Sequence, residues 1–304
     1  MALVEPSTRR ISMSTAGAPS RTRRAAALSR RRLGPGYRRA SGGGGTWRAS
    51  WSGNISGVRR LVVLGASGGR PTASEACSGF LVEWDGVRVV LDLGYATLPH
   101  LLRQVPNGAV DAVIVTHEHP DHCVDLHGLF RVRHYGHPGA PRLPLFCPPG
   151  VLDRLAGLEP DVDLADVFDH RPLPGTYELG QFELAAVALA HFVPTVGVRL
   201  RAGDTVVAYA TDTGPHDVLA ELGRDADLYI VDATDRPGET DRGDRNLLTA
   251  TEAGVWAQRA GARRLLLTHL WPGTDPAASV LRARRSFTGP VQVATQGLTV
   301  DLAS

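Results

Sequence analysis

Short apolar runs alternate with amphipathic stretches along the chain from residue 58 onward. Runs of four to eight apolar residues between turn residues predict strands, and apolar residues three or four apart predict helices. The predicted strands cover residues 60–65, 77–83, 87–93, 112–115, 177–178, 182–189, 197–201, 205–209, 228–231, 264–268, 291–293 and 298–302. The predicted helices cover residues 98–105, 121–135, 217–222, 249–260 and 277–285. This mixture predicts an α/β domain over residues 58–304.

Residues 1–57 have a different composition. They contain eleven arginines and a single acid, Glu5, and are therefore +10, whereas the remaining 22 arginines and 30 acids make the rest −8. Arginine, glycine and serine without apolar periodicity predict a disordered extension. It lacks the apolar core of a secretory signal. Three interpretations of this segment remain: a transit-like segment, an arm that binds nucleic acid or anionic surfaces, and an extension without a role. We favour the last.

Composition excludes two further classes of protein. No run of 18 apolar residues is present, so we expect no membrane span. The three cysteines, Cys77, Cys123 and Cys147, are an odd number without paired spacing, which predicts neither a disulfide framework nor a cysteine zinc site. We therefore expect a cytoplasmic protein in a reducing compartment.

A cluster of possible metal ligands lies in residues 116–122, Thr-His-Glu-His-Pro-Asp-His, directly after an apolar run. In an extended segment His117 and His119 point the same way and can bind one ion, whereas Asp121 and His122 follow the turn at Pro120 and can face a second. Histidine and carboxylate are common ligands of zinc and similar ions. The spacing predicts half of a metal site.

The run His117-x-His119-x-Asp121-His122 after an apolar strand resembles the signature of the metallo-β-lactamase fold. The resemblance implies a four-layer αββα sandwich and three further ligands in a fixed order. His191, Asp212 and His269 fit that order, and each follows a predicted strand. Residues 58–304 are thus expected to form a hydrolase domain of this fold.

The resemblance also implies two divalent ions, with zinc expected and manganese as the alternative. His117, His119 and His191 would hold one ion, Asp121, His122 and His269 the other, and Asp212 would bridge them. A hydroxide shared by the ions would attack the substrate, and Asp121 would act as the catalytic residue that orients it.

Residues 209–214, Tyr-Ala-Thr-Asp-Thr-Gly, and the late Leu267-Thr268-His269 look like the ribonuclease Z and cyclic-nucleotide phosphodiesterase branch. Ribonuclease Z carries a transfer-RNA-gripping arm between its third histidine and bridging aspartate. Here only 21 positions separate His191 from Asp212, and the body is acidic. A small phosphodiester such as a cyclic nucleotide is therefore the expected substrate, nucleic acid is disfavoured, and a homodimer is allowed.

One departure from this branch concerns proton donation to the leaving group. Leu247 occupies the position where many members have a histidine, and the nearest candidate replacement is His216, for which a solvated helix start is the favoured interpretation. Two alternatives therefore stay open. They are a lactone or thioester hydrolase of the same fold and a metal-binding scaffold with weakened catalysis.

The glycine-rich loop at residues 64–69 lacks the spacing of a phosphate-binding loop, so we expect a tight turn beside the site.

Overall fold

A computed structural model describes residues 57–159, 161–236, 238 and 245–303. The predicted extension 1–57 therefore lies outside the described residues, except for Gly57. Within the described part, no helix is long and apolar enough to cross a membrane.

The first sheet has seven strands in the order β14-β1-β2-β3-β4-β5-β6. The strands are β1 (Arg59–Gly65), β2 (Gly79–Trp84), β3 (Val87–Leu93), β4 (Ala112–Ile114), β5 (Leu143–Cys147), β6 (Phe168–Pro172) and β14 (Thr299–Asp301). The predicted hairpin of β2 and β3 is present, and its two turn residues, Asp85 and Gly86, have φ values of 46° and 92°. Positive φ at both positions matches the right-handed twist of a hairpin.

The second sheet also has seven strands, in the order β13-β12-β11-β10-β9-β8-β7. The strands are β7 (Gly175–Leu179), β8 (Phe182–Leu189), β9 (Thr195–Ala202), β10 (Thr205–Ala210), β11 (Leu228–Asp232), β12 (Leu265–Thr268) and β13 (Val291–Val293). The helices are α1 (Thr97–Gln104), α2 (Pro120–Cys123), α3 (Asp125–Gly136), α4 (Val151–Ala156), α5 (Val218–Leu222), α6 (Ala250–Ala260) and α7 (Pro276–Ala283).

Successive side chains along each strand point to opposite faces of the sheet, and this separates the hydrophobic core into layers. In β1, Leu61 and Val63 pack between the two sheets, whereas Val62 and Leu64 pack in the outer cluster that contains residues of α1 and α3. A third cluster lies between the second sheet and helices α5, α6 and α7. Because successive strand side chains point to opposite faces, each sheet carries one inner and one outer core. The predicted four-layer αββα sandwich is confirmed.

The functional edge of the sandwich lies where parallel strands end. Strands β3 to β6 run parallel in the first sheet and β10 to β13 in the second. Two backbone links join the sheets there: a parallel bridge pairs Ser67 with Leu270, and the Val196 amide donates to the Thr116 carbonyl at 3.0 Å. These links hold the strand ends of the two sheets beside each other.

Three elements escaped the sequence prediction: β5, α4 and β6. Prolines weaken the strand signal of both missed strands, Pro144 within β5 and Pro172 at the end of β6. Because β6 is the outermost strand, it tolerates a proline and has only one neighbouring strand.

The predicted helix 121–135 is wrong in detail, because the structure divides it into α2 and α3 at Val124. The amide of His127 reaches back only three residues, to the Val124 carbonyl at 3.2 Å. This shorter contact interrupts the regular α-helical ladder, so the segment with the metal-site residues forms a turn of its own.

Candidate metal centre

All seven side chains predicted from the sequence meet at the shared edge of the two sheets. They fall into two groups, each with ligand atoms within 4.8 Å of one another. The first group contains His117, His119, His191 and Asp212, and the second contains Asp121, His122 and His269. His117 and His119 lie in the loop after β4, and Asp121 and His122 lie in α2, which follows that loop. The other three residues lie just after β8, β10 and β12. The strand ends therefore bring together positions up to 152 residues apart, from His117 to His269.

In the first group three imidazole nitrogens converge. The Nδ1 atom of His119 lies 3.0 Å from Nε2 of His117 and 3.1 Å from Nε2 of His191. The Oδ2 atom of Asp212 lies 3.8 Å from Nε2 of His191. Two ligand atoms of a tetrahedral zinc site with bonds of about 2.05 Å are about 3.3 Å apart. The spacing of these donor atoms matches one divalent ion.

The two imidazoles of the second group lie close to two carboxylates, Asp121 of the same group and Asp212 of the first group. Asp121 Oδ2 lies 3.6 Å from His122 Nε2 and 3.2 Å from His269 Nε2. Asp212 Oδ1 lies 3.3 Å and 3.4 Å from the same two nitrogens. The two oxygens of Asp212 therefore face different groups, which is the geometry of a bridging carboxylate.

Two buried atoms at the junction of the groups lack hydrogen-bond partners, the Nε2 of His122 and the Oδ1 of Asp212. His122 is 0% exposed and Asp212 is 4% exposed. A buried polar atom without a partner costs about 1–3 kcal/mol, and more if it is charged. A cation between the groups would satisfy both atoms, so the donor set fits a metal.

Electrostatics within the cluster points the same way. Burial, and secondly the charge of His122, lower the pKa of His117 well below its usual value. Burial also lowers the pKa of His122, but the Asp212 and Asp121 carboxylates outweigh it and hold that pKa well above the usual value. Burial raises the pKa of Asp121, yet His122 and His269 bring it down to about 2. Metal binding needs neutral imidazoles and ionised carboxylates, so an ion at this cluster would compete with a proton on His122.

A buried carboxylate that the sequence prediction missed fixes the orientation of His122. Asp92 accepts hydrogen bonds from the Thr116 amide at 2.7 Å, the Thr116 hydroxyl at 2.9 Å and the Tyr209 hydroxyl at 3.0 Å, and lies 2.8 Å from His122 Nδ1. A proton on Nδ1 leaves the Nε2 lone pair free to face the cluster. Asp92 has a φ of 58°, a left-handed backbone that only a well-determined site retains.

His269 is oriented in a similar way. Its Nδ1 lies 2.9 Å from the Thr234 hydroxyl, and the Thr234 amide donates to Asp232 at 2.9 Å. Burial, and secondly the Asp212 charge, raise the pKa of Asp232 to about 7. Asp232 also forms a third group of possible ligands with Asp212 and His269. Asp92 is the penultimate residue of β3 and Asp232 is the last residue of β11. A carboxylate near the end of a buried strand is the signal that identified Asp212, and it could have found these two residues as well.

The glycine-rich loop after β1 packs against the second group. The Gly69 amide donates to Asp121 Oδ2 at 2.9 Å. A Cβ atom on Gly68 would lie 2.5 Å from the His269 carbonyl oxygen. The expected turn beside the site is confirmed, and close approach of the two backbones explains the glycine at position 68.

Leu247, the residue assigned from the resemblance to the proton-donor position, lies between two residues whose backbones contact the site. It is 5% exposed, and both neighbours contact site residues. The Asn246 carbonyl lies 2.9 Å from His191 Nδ1, and the Leu248 amide donates to Asp232 at 3.2 Å. His216 is exposed, and its ring accepts a hydrogen bond from Val218 at the start of α5. This agrees with the favoured interpretation of His216 as a solvated residue.

Comparison with known proteins agrees with the fold and the site. The sequence model of the beta-lactamase superfamily domain matches residues 84–270. A ribonuclease Z from Kineococcus radiotolerans is 31% identical, with 74% of this chain and 88% of the relative covered. The probable metallo-hydrolase YhfI of Bacillus subtilis is 31% identical, with 78% and 98% covered.

Solved structures agree as well. The crystal structure of YhfI, described as a metallo-beta-lactamase fold protein, gives a TM-score of 0.71 at 28% identity and covers 80% of this chain and 98% of that chain. The short form of human tRNase Z gives a TM-score of 0.67 at 20% identity, with 81% and 100% covered, which shows a shared fold. The match over residues 84–270, the relatives and the architecture together establish that this chain is a metallo-hydrolase of the beta-lactamase superfamily.

Proposed function

We propose that the protein is a dinuclear metal-dependent phosphodiesterase that acts on small cyclic nucleotides. Zinc is the expected ion and manganese the alternative. His117, His119 and His191 would hold one ion, and Asp121, His122 and His269 would hold the other. The single observation that carries this proposal is Asp212, whose two oxygens lie within 3.8 Å of nitrogens in both groups.

Two ions bound here would supply Lewis acidity and lower the pKa of a shared water toward neutrality. The residues of the chain do the rest. As a metal ligand Asp121 would be ionised, and the Gly69 amide donates a hydrogen bond to its Oδ2 atom at 2.9 Å. We assign Asp121 the role of accepting a hydrogen bond from the attacking water and thereby aiming it at the substrate.

Two features favour a small phosphodiester over a transfer RNA. The interval between His191 and Asp212 is occupied by β9 and β10, which leaves no length for a substrate-gripping arm. The body outside residues 1–57 carries a net charge of −8, which disfavours a polyanion held through many phosphates. The relative named ribonuclease Z supports phosphodiester chemistry, although the interval between His191 and Asp212 has no room for a substrate-gripping arm.

Leu247 favours a second candidate, a metal-binding scaffold with weakened catalysis. Its side chain has no proton to donate, and general acid catalysis typically contributes 10²–10⁴-fold. A sugar alkoxide leaves slowly without protonation, whereas nitrophenolate does not need it. Activity on an activated ester alone would therefore support this candidate.

The test begins with the full chain, stripped of metal, reloaded with zinc and freed of excess ion. We expect about two bound ions per chain, measured by atomic emission, and hydrolysis of bis-(p-nitrophenyl) phosphate. A panel of cyclic nucleotides, a transfer RNA precursor, lactones and thioesters then separates the substrate classes. A metal count near zero, or turnover confined to lactones and thioesters, contradicts the proposal.

A matched pair of variants tests whether the bound metal ions lie at the proposed site. Asp212→Ala removes the proposed bridge, so we expect it to lose both ions and all hydrolysis. Asp217→Ala removes a carboxylate whose side chain is 96% exposed, so its metal content and activity should equal those of the unmodified protein.

A further inference from the structure

An exposed aromatic ring lies directly beside the metal centre. The Phe192 residue is 53% exposed, and its ring centroid lies 5.0 Å from that of His191, with the planes inclined at 64°. The two rings are therefore not stacked face to face. Burying a phenylalanine side chain contributes about 1.5–3 kcal/mol, and Phe192 leaves much of that unused.

The segment that carries Phe192 is short and fixed at both ends. Five residues, 190–194, connect β8 to β9. The Gly214 amide donates to the Ala190 carbonyl at 2.8 Å before Phe192, and the Val196 amide donates to the Thr116 carbonyl at 3.0 Å after it. Since the second bond reaches the loop that carries His117, the position of Phe192 is tied to both sheets. These bonds fix the backbone on both sides of Phe192, which lowers the entropy that the loop would lose on binding a ligand.

Phe192 differs from the other exposed aromatic side chain of similar exposure, Tyr135. Tyr135 is 57% exposed, but it lies on α3, and the Arg131 guanidinium covers its ring at 4.7 Å. Among the exposed large hydrophobic residues of the described part, Phe192 is the one whose ring contacts a ring of the metal cluster. Its ring therefore combines solvent exposure with contact to a side chain of the metal cluster.

We propose that Phe192 is a specificity-determining residue that stacks on the planar base of a nucleotide whose phosphodiester lies at the metal centre. This inference rests on the proposed function and adds what recognises the organic part of the substrate. Stacking of a base on an aromatic side chain is worth about 1–3 kcal/mol and tolerates different bases. The residue thus accounts for how the site would recognise the nucleoside part of its phosphodiester.

The kinetic experiment uses the full chain loaded with zinc and two substrates, adenosine 3′,5′-cyclic monophosphate and the same cyclic sugar phosphate without a base. We expect Phe192→Ala to raise KM for the nucleotide about tenfold, the equivalent of about 1.4 kcal/mol, with kcat within about twofold. KM for the base-free compound should not change. Tyr135→Ala is the matched control, and we expect it to leave both substrates unaffected.

Two further variants separate stacking from simple apolar contact. Phe192→Trp keeps a flat π surface and should retain or lower KM for the nucleotide. Phe192→Leu keeps apolar area without that surface and should behave like the alanine variant. If the leucine variant matches the unmodified protein, or if Phe192→Ala affects both substrates equally, the stacking proposal is wrong.

A binding measurement tests the residue independently of turnover. Calorimetry on the zinc-loaded protein should give adenosine 5′-monophosphate about tenfold tighter binding than ribose 5-phosphate, and Phe192→Ala should abolish that difference. Equal metal content in all variants verifies that the site is intact. If phosphodiesters are not hydrolysed but the difference is present and needs Phe192, the proposed function fails and the recognition stands. If neither ligand is preferred, the recognition fails whatever the activity.

Discussion

Asp92 offers the sharpest test of how the chain holds its metal centre. Its Oδ1 accepts one hydrogen bond, from the Thr116 amide, and its Oδ2 faces three donors, the Thr116 and Tyr209 hydroxyls and His122 Nδ1. All four partners donate, so the site needs an acceptor on both oxygens. Asp92→Asn replaces one oxygen with an NH2 group of nearly the same shape. Because asparagine tolerates a left-handed backbone well, the φ of 58° adds little strain to the comparison.

The size of the effect follows from the bonds that change. The amide is best placed with its NH2 group at the Oδ1 position, where it faces only the Thr116 amide. One bond to a charged acceptor, worth about 1.5–3 kcal/mol, is then replaced by two opposed donors. We expect the free energy of unfolding of the metal-free protein to fall by about 3 kcal/mol. The metal affinity should fall about 10–100-fold, since His122 loses a charged partner.

The assays are urea unfolding of the metal-free protein, followed by tryptophan fluorescence, and zinc competition against a chromophoric chelator. Asp227→Asn is the matched control. That carboxylate is also buried and accepts one hydrogen bond on each oxygen, from the Val206 amide and Arg263, both at 2.8 Å. It lies just before β11, at the end of that strand remote from Asp232. The control should lose stability and keep its zinc affinity. Unchanged zinc affinity in Asp92→Asn would refute the positioning argument.

Two other predictions concern activity and thiol chemistry. Leu247→His restores a proton donor between two residues that contact the centre, so it should raise turnover of a cyclic nucleotide at least tenfold more than turnover of bis-(p-nitrophenyl) phosphate; equal effects in steady-state assays would remove the general-acid argument. Burial raises the pKa of all three thiols to about 12, so Ellman's reagent at pH 8 should label none of them in the native protein and three after unfolding, and rapid native labelling would contradict the buried positions of Cys77, Cys123 and Cys147.

The sequence carried much of the information about the fold. The spacing of apolar residues and the turn-forming residues identified the hairpin at Asp85-Gly86 and most helices and strands, because those features depend on neighbours in the chain. It failed at β5 and β6, where prolines weaken the local signal and pairing within the sheet decides the outcome. The same limit applies to the break at Val124, which depends on hydrogen bonds that a local pattern does not specify.

Sequence alone determined which side chains are the candidate metal ligands, since seven imidazole and carboxylate groups at strand ends form a recognisable order. Only the tertiary structure decided how they meet: that the two oxygens of Asp212 face different groups, and that Asp92 and Asp232 orient the histidines. It also decided that Phe192 stands exposed beside the centre. The physical reason is that a strand fixes the direction of its own side chains, whereas distances between strand ends depend on how two sheets pack.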